Sequence, residues 1–154
     1  MTTKKPLKRH KSLQPLSRDH HHGLLLSWKI RTGFKKEIEI ERIKVYADWF
    51  YISHLVPHFE MEEAHVFSIL PEDHPLRKQA INEHKEIKEL VSKTTDLEYN
   101  LNTLADVLEG HIRFEERVLF PEIQSIATPE EMEHIDDIHY EQNLKENTTD
   151  QFWK

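Results

Sequence analysis

Apolar residues recur along most of this chain at intervals of three and four, the period of a helix with one face turned inward. Leu16, His20, Leu24 and Trp28 fall on one such face and predict a first helix from about Ser17 through Arg31, with Thr32-Gly33 as its stop. A second helix is predicted from about Lys36 to Leu70, with Ile40, Ile43, Ala47, Phe50 and Ile52 apolar. Pro57 removes one backbone donor from it and should bend it just before His58. Pro71-Glu72-Asp73-His74-Pro75 reads as a turn into a third helix, roughly Leu76 to Val91, carrying Ile81, His84, Ile87 and Leu90 or Val91. Thr95 and Glu98 form the capping-box pattern at the head of a fourth helix. It runs to about Ile126 through Leu101, Leu104, Val107, Leu108, His111, Phe114 and Leu119. Thr128-Pro129-Glu130-Glu131 caps a short fifth helix, and the last ten residues read as a tail.

Four helices of this length with short connections predict an all-α, antiparallel up-and-down four-helix bundle with a short extra C-terminal helix. The boundaries are a basic N-terminal arm at 1–12, the bundle at 13–127, and a short helix and tail at 128–154. Composition agrees: glycine is rare, at 3 residues, and Leu, Glu, Lys and Ile dominate. A chain of 154 residues buries one sizeable core and leaves no room for a second domain.

Charge adds one feature. Lys4, Lys5, Lys8, Arg9, Lys11 and Arg18 stand in a stretch without acids, so the rest of the chain is more acidic than the net charge of −7 conveys. So short an arm beside so acidic a body reads as a solvated tail, and the lack of stacking aromatics and a basic groove argues against nucleic acid. No apolar stretch approaches a membrane span or follows the basic arm as in a signal peptide, so a cytoplasmic protein is expected. The absence of Cys excludes disulfides, thiolate metal sites and thiol catalysis. Any metal site must therefore use nitrogen and oxygen.

Histidine is the unusual component, at 12 residues. Residues four apart on a helix share a face, so a His-x-x-x-Glu pair offers imidazole nitrogen and carboxylate oxygen to one point in space. Two such pairs exist, His58 with Glu62 and His111 with Glu115. With this much His and Glu, roughly one or two such pairs arise by chance, so their count decides nothing. Their surroundings do. His58-Phe-Glu-Met-Glu62-Glu63 through Phe67 and Leu70 aligns without gaps on His111-Ile-Arg-Phe-Glu115-Glu116 through Phe120 and Ile123. Asp19-His20 and Glu83-His84 are likewise acid-His steps, each upstream of a His-x-x-x-Glu-Glu helix. The chain reads as one helical hairpin used twice. Packing the two hairpins together would bring His20, His58, Glu62, His84, His111 and Glu115 to one level of the interior.

Over about residues 13 to 126 these motifs resemble the hemerythrin-like, or HHE cation-binding, domains. They are Arg18-Asp-His20, His58-Phe-Glu-Met-Glu62-Glu63, Asn82-Glu-His84 and His111-Ile-Arg-Phe-Glu115-Glu-Arg-Val-Leu-Phe-Pro121. The resemblance implies that His20, His58, Glu62, His84, His111 and Glu115 ligate two non-haem irons, with both carboxylates bridging and an oxo or hydroxo group between the metals. Zinc and manganese accept the same donors. Four His and two bidentate Glu supply about eight contacts, roughly four per metal, which leaves positions open for dioxygen or nitric oxide.

The chain departs from oxygen-carrying hemerythrins on the third helix, where a second His one turn away is replaced by Ala80 or Lys88. One metal is then expected to be short of a nitrogen ligand, which favours sensing, iron handling or redox chemistry over reversible oxygen carriage. His65 and His54 are candidates for the missing nitrogen or for supporting hydrogen bonds, with a satisfied core His as the alternative. Glu63 and Glu116 either hold ligand imidazoles from the neighbouring helix or are plain surface acids. His21 and His22 are expected to be solvated. Two rival functions remain. A ferritin-like di-iron oxidase would use Glu62-x-x-His65 and Glu131-x-x-His134, but helices 1 and 3 offer His where it needs Glu. A metal-free helical interaction module would make the histidines incidental.

Overall fold

The computed structural model describes residues 8–138 and 147–154, so Lys4 and Lys5 of the basic arm and His139 lie outside the described residues. These residues are helical, with no strand among them. Helix α1 is Gln14–Lys35 and α2 is Ile40–Phe50. A π-helical turn, Tyr51–Leu55, joins α2 to α3, Val56–Met61, and a second, Glu62–Val66, leads into a 3-10 turn at Phe67–Ile69. Helices α4, Pro75–Ser92, and α5, Leu97–Phe114, follow. A third π-helical turn, Glu115–Leu119, connects α5 to α6, Phe120–Ile126, and α7 is Pro129–Ile138.

Several boundaries differ from the sequence expectation for identifiable reasons. Helix α1 runs past Thr32-Gly33 because Gly33 is a packing residue, not a stop. A Cβ there would meet Ile43 Cδ1 and Phe152 Cε2, each at 2.8 Å. The left-handed residue that ends the helix is Glu37, at φ 58°, beyond which the Ile38 amide donates to the Gly33 carbonyl at 2.9 Å. The second helix therefore begins at Ile40, not Lys36. Nor does Thr95 cap α5. Asp96 at φ 50° precedes the helix without a side-chain cap, and the Thr95 carbonyl accepts from Asn100 Nδ2 at 2.9 Å. The corresponding box at α7 does form, with reciprocal bonds between Thr128 and Glu131 at 2.9 and 3.1 Å. His74 caps α4, its Nδ1 accepting from the Leu76 amide at 3.1 Å.

Pro57 does not act alone. Pro57 and Pro121 are each the second residue of a short helix that follows a five-residue π-helical turn. A proline lacks the donor and crowds the carbonyl four residues back, and a widened turn relieves both. The other π turn begins at Glu62, as the one before Pro121 begins at its repeat partner Glu115.

The apolar interior consists of two clusters. One gathers Leu26 and Ile30 of α1, Ile43, Tyr46 and Phe50 of α2, Ile87 of α4, and Leu101, Leu104 and Leu108 of α5. The other gathers Leu13, Leu16, Val66, Phe67, Ala80, Leu119, Phe120 and Ile123, with Met132 and Ile135 of α7. Helix α1 packs chiefly on α5, as does α4, and Ser27 Oγ donates to the Ala105 carbonyl at 2.9 Å. Trp28 and Ile52 lie outside this interior, 51% and 69% exposed. A strict four-residue spacing drifts about 40° per step on a helix of 3.6 residues per turn, so Trp28 has left the face of Leu16. The buried stripe of α1 runs instead through Leu16, His20, Gly23, Leu26, Ile30 and Gly33.

Neither chain end behaves as a solvated tail where it is described. Phe152 and Trp153 are buried in the first cluster, Lys36 Nζ donates to the Trp153 carbonyl at 2.9 Å, and Arg42 forms a forked pair with Asp150. At the other end Gln124 ties residues 8 to 10 to α6, accepting from the His10 amide at 3.0 Å and donating to the Lys8 carbonyl at 3.0 Å.

Candidate metal centre

On each long helical stretch, a His or His/Glu step stands where one apolar cluster gives way to the other. His20 separates Leu16 from Leu26, and His84 separates Ala80 from Ile87. His58 and Glu62 lie between Leu55 and Val66, and His111 and Glu115 between Leu108 and Leu119. All six are buried, Glu62 and Glu115 completely.

They form two groups that share both glutamates: His20, His58, Glu62 and Glu115, and Glu62, His84, His111 and Glu115. Within each group one nitrogen or oxygen from every residue lies within 4.8 Å of the others. His58 Nε2 is 3.2 Å from Glu62 Oε1, His20 Nε2 is 3.3 Å from Glu115 Oε2, and His84 Nε2 is 3.4 Å from Glu62 Oε1. His111 Nε2 makes a close contact with Glu115 Oε1. None of these approaches has hydrogen-bond geometry. The four Nε2 atoms and all four carboxylate oxygens are buried without a hydrogen-bond partner. Buried polar atoms left in that condition cost free energy, and here they converge on a common space. The donor set is nitrogen and oxygen, suited to iron, manganese or zinc, and these two groups can hold a metal ion.

The opposite nitrogen of every imidazole is held by a carboxylate. His20 Nδ1 lies 2.8 Å from Glu116, His58 Nδ1 3.2 Å from Asp19, His84 Nδ1 2.9 Å from Glu63, and His111 Nδ1 2.7 Å from Glu83. A carboxylate only accepts, so each Nδ1 donates, and Nε2 is the nitrogen that each ring turns to the centre. The pattern follows the repeat. Asp19 and Glu83 hold the other His of their own hairpin, whereas Glu63 and Glu116 reach across to the first His of the opposite one. The repeat-related Phe67 and Phe120 cross in the same way, lying 5.3 Å from His84 and 5.4 Å from His20 between ring centroids.

Of the alternatives offered by the sequence for Glu63 and Glu116, the geometry selects hydrogen bonding to imidazoles of the neighbouring hairpin. Asp19 and Glu83 were missed as partners. Their signal is the acid preceding His20 and His84 in both halves, which marks the repeat but not that each acid turns to a different His. Each group has two His and the same two Glu, and no further His enters either. Ala80 lies in the core and Lys88 on the surface, so the third helix offers His84 alone. His54 and His65 belong to neither group. His54 packs between Trp49 and Phe50, at 5.0 Å from each ring, and His65 faces His134 of α7 at 5.3 Å. The Glu-x-x-His motifs of the oxidase reading thus pair their histidines with each other, away from the centre. His22 is only half-exposed.

Electrostatics bind the centre together in the metal-free chain. Burial opposes charge on every imidazole, but the adjacent carboxylates outweigh it. His20 is pushed up to about 9 by Glu115 and Glu116, His58 to about 10 chiefly by Glu62 and Asp19, and His84 to about 11 by Glu115, Glu62 and Glu63. His111 is raised in the same way by Glu115 and Glu83. Burial also opposes charge on Glu115, yet His111 foremost holds its carboxyl well below the usual range.

A cavity of about 20 Å³, room for a water-sized molecule, reaches His20, His58 and His111. Its walls are mostly apolar: Gly23, Phe50, Leu55, Phe59, Leu108 and Ile112, with Asp19, His22 and His54 completing the lining. Gly23 lets the Ile112 side chain pack directly on the α1 backbone, since a Cβ there would come within 2.6 Å of Ile112 Cδ1. Among the described residues no helix is long and apolar enough to cross a membrane. Comparison with protein-family models, curated proteins and solved structures finds no match to this chain.

Proposed function

We propose that this chain is a hemerythrin-like protein whose antiparallel four-helix bundle holds two non-haem irons and binds or senses dioxygen, nitric oxide or iron itself. The observation that carries the reading is the convergence of eight buried atoms without hydrogen bonds, four imidazole nitrogens and four carboxylate oxygens, into two groups that share both glutamates. A metal-free interaction module gives no account of them, because burying charged groups without hydrogen bonds is a cost that it does not use. The up-and-down arrangement is supported by the two apolar clusters. Helices α1 and α4 pass from the second cluster to the first along the chain, whereas α2–α3 and α5–α6 pass from the first to the second.

His20 and His58 would hold one ion, His84 and His111 the other, and Glu62 and Glu115 both. The irons would supply open coordination positions and one-electron chemistry. The chain's own residues fix the four rings through Nδ1, bury the six inner side chains between the clusters, and leave a mostly apolar cavity suited to a small uncharged ligand. Anaerobic loading with ferrous iron, followed by addition of nitric oxide, tests the reading. A new optical and electron paramagnetic signal is expected, lost in Glu62→Ala. An iron-loaded protein that does not respond to nitric oxide or dioxygen would restrict the role to holding iron, and failure to load would end the reading.

A further inference from the structure

The two halves of the centre repeat each other in their ligands but not in what lies outside them. On one side both oxygens of Glu116 are engaged. Oε1 accepts from His20 at 2.8 Å, and Oε2 accepts from Arg9 Nη2 at 2.9 Å. The same guanidinium nitrogen donates to the Glu116 carbonyl at 2.5 Å, and Nη1 donates to Gln124 at 3.3 Å. Arg9 also lies over the ring of Phe120 at 5.3 Å, and that ring stacks on His20. The arginine thus braces the two groups that hold the His20 ring in place.

On the other side Glu63 repeats Glu116, its Oε2 accepting from His84 at 2.9 Å. Its setting differs. The Glu63 side chain is 43% exposed against 28% for Glu116, and it borders a surface cleft of about 410 Å³. Tyr51, Glu60, Lys85 and Lys88 line that cleft together with His84 itself. The enclosed cavity that reaches His20 and His58, and His111 with them, is far too small for a hydrated cation.

We infer that the two metal positions differ in lability. The position served by His84 and His111 exchanges its ion through the cleft at Glu63, and the position served by His20 and His58 is retained because Arg9 fixes Glu116 against His20. For an ion to leave, a ligand ring must swing away. An exposed Glu63 can follow His84, whereas Glu116 can follow His20 only by giving up the charge-assisted contact that Arg9 makes with its carboxylate. Arg9 is a positioning residue that acts through Glu116. The inference rests on the dinuclear reading above.

The full chain, loaded anaerobically with ferrous iron, is mixed with a coloured ferrous chelator and release is followed by absorbance. Two phases of equal amplitude are expected, one ion each. Arg9→Ala should accelerate the slow phase at least about tenfold, the scale of losing a hydrogen bond to a charged group, and leave the fast phase unchanged. Arg9→Lys, which keeps the charge but not the fork, should fall between. His84→Ala should retain one slow ion and His20→Ala one fast ion, while helical content of the metal-free variants stays that of the parent. A single phase for both ions, equal acceleration of both phases by Arg9→Ala, or a fast ion in His84→Ala would overturn the inference. If the parent loads fewer than two irons, the dinuclear reading itself has failed.

Discussion

Each of the four buried imidazoles at the centre has one nitrogen spoken for by an outer carboxylate and one turned inward, so the outer acids are as much a part of the centre as the six inner residues. Removing Asp19 or Glu83 frees the ring of His58 or His111 to rotate and to change tautomer. Asp19→Ala and Glu83→Ala should each weaken metal binding about 10–100-fold in a competition titration against a chelator. Glu62→Ala and Glu115→Ala should abolish both ions, since each belongs to both groups. The pH dependence of the metal-free chain follows from the same contacts. The raised histidines contribute stability that is fully present below pH 6.5 and lost as pH rises through about 9 to 11. The depressed Glu115 contributes stability present above pH 4.5 and lost as pH falls through its lower folded value. Thermal melts with excess chelator should therefore peak between about pH 4.5 and 6.5. Metal must displace the ring protons, so its apparent affinity should rise with pH over the same range in which the metal-free chain weakens. The six inner residues were legible from the hairpin repeat. The outer ring was only half legible, because which acid meets which imidazole depends on how two hairpins cross, and helical spacing within one hairpin does not contain that.

At the level of elements, the long helices and their inward faces follow from periodicity, and their ends do not. Gly33 looked like a stop because glycine ends many helices, yet it packs against Ile43 and Phe152, and the left-handed position falls to Glu37. The π-helical turns were equally hidden. They answer to Pro57 and Pro121 and to the position of Glu62 and Glu115, which periodicity at 3.6 residues cannot register. The C-terminal segment escaped notice because two aromatics in a short stretch carry no period. Its burial against α1 and α2 is testable: Phe152→Ala should destabilise the protein by about 3 kcal/mol in chemical denaturation, a core cavity's worth. A change within about 0.5 kcal/mol would place that ring outside the core.

Across the whole molecule, two apolar clusters enclose one polar level, and the chain crosses that level four times with a buried His at each crossing. Such a layer is costly without an ion to occupy it, because its carboxylates are fully buried without hydrogen bonds and only the desolvated imidazoles offset their charge. Metal binding is then coupled to folding, and chelation should lower the melting temperature. The most direct test is elemental analysis of the full chain after anaerobic iron loading and removal of excess metal, with Glu62→Ala as the control. The account predicts two irons per chain for the parent and none for the variant. A parent that retains no metal, or a variant that retains as much as the parent, would contradict it.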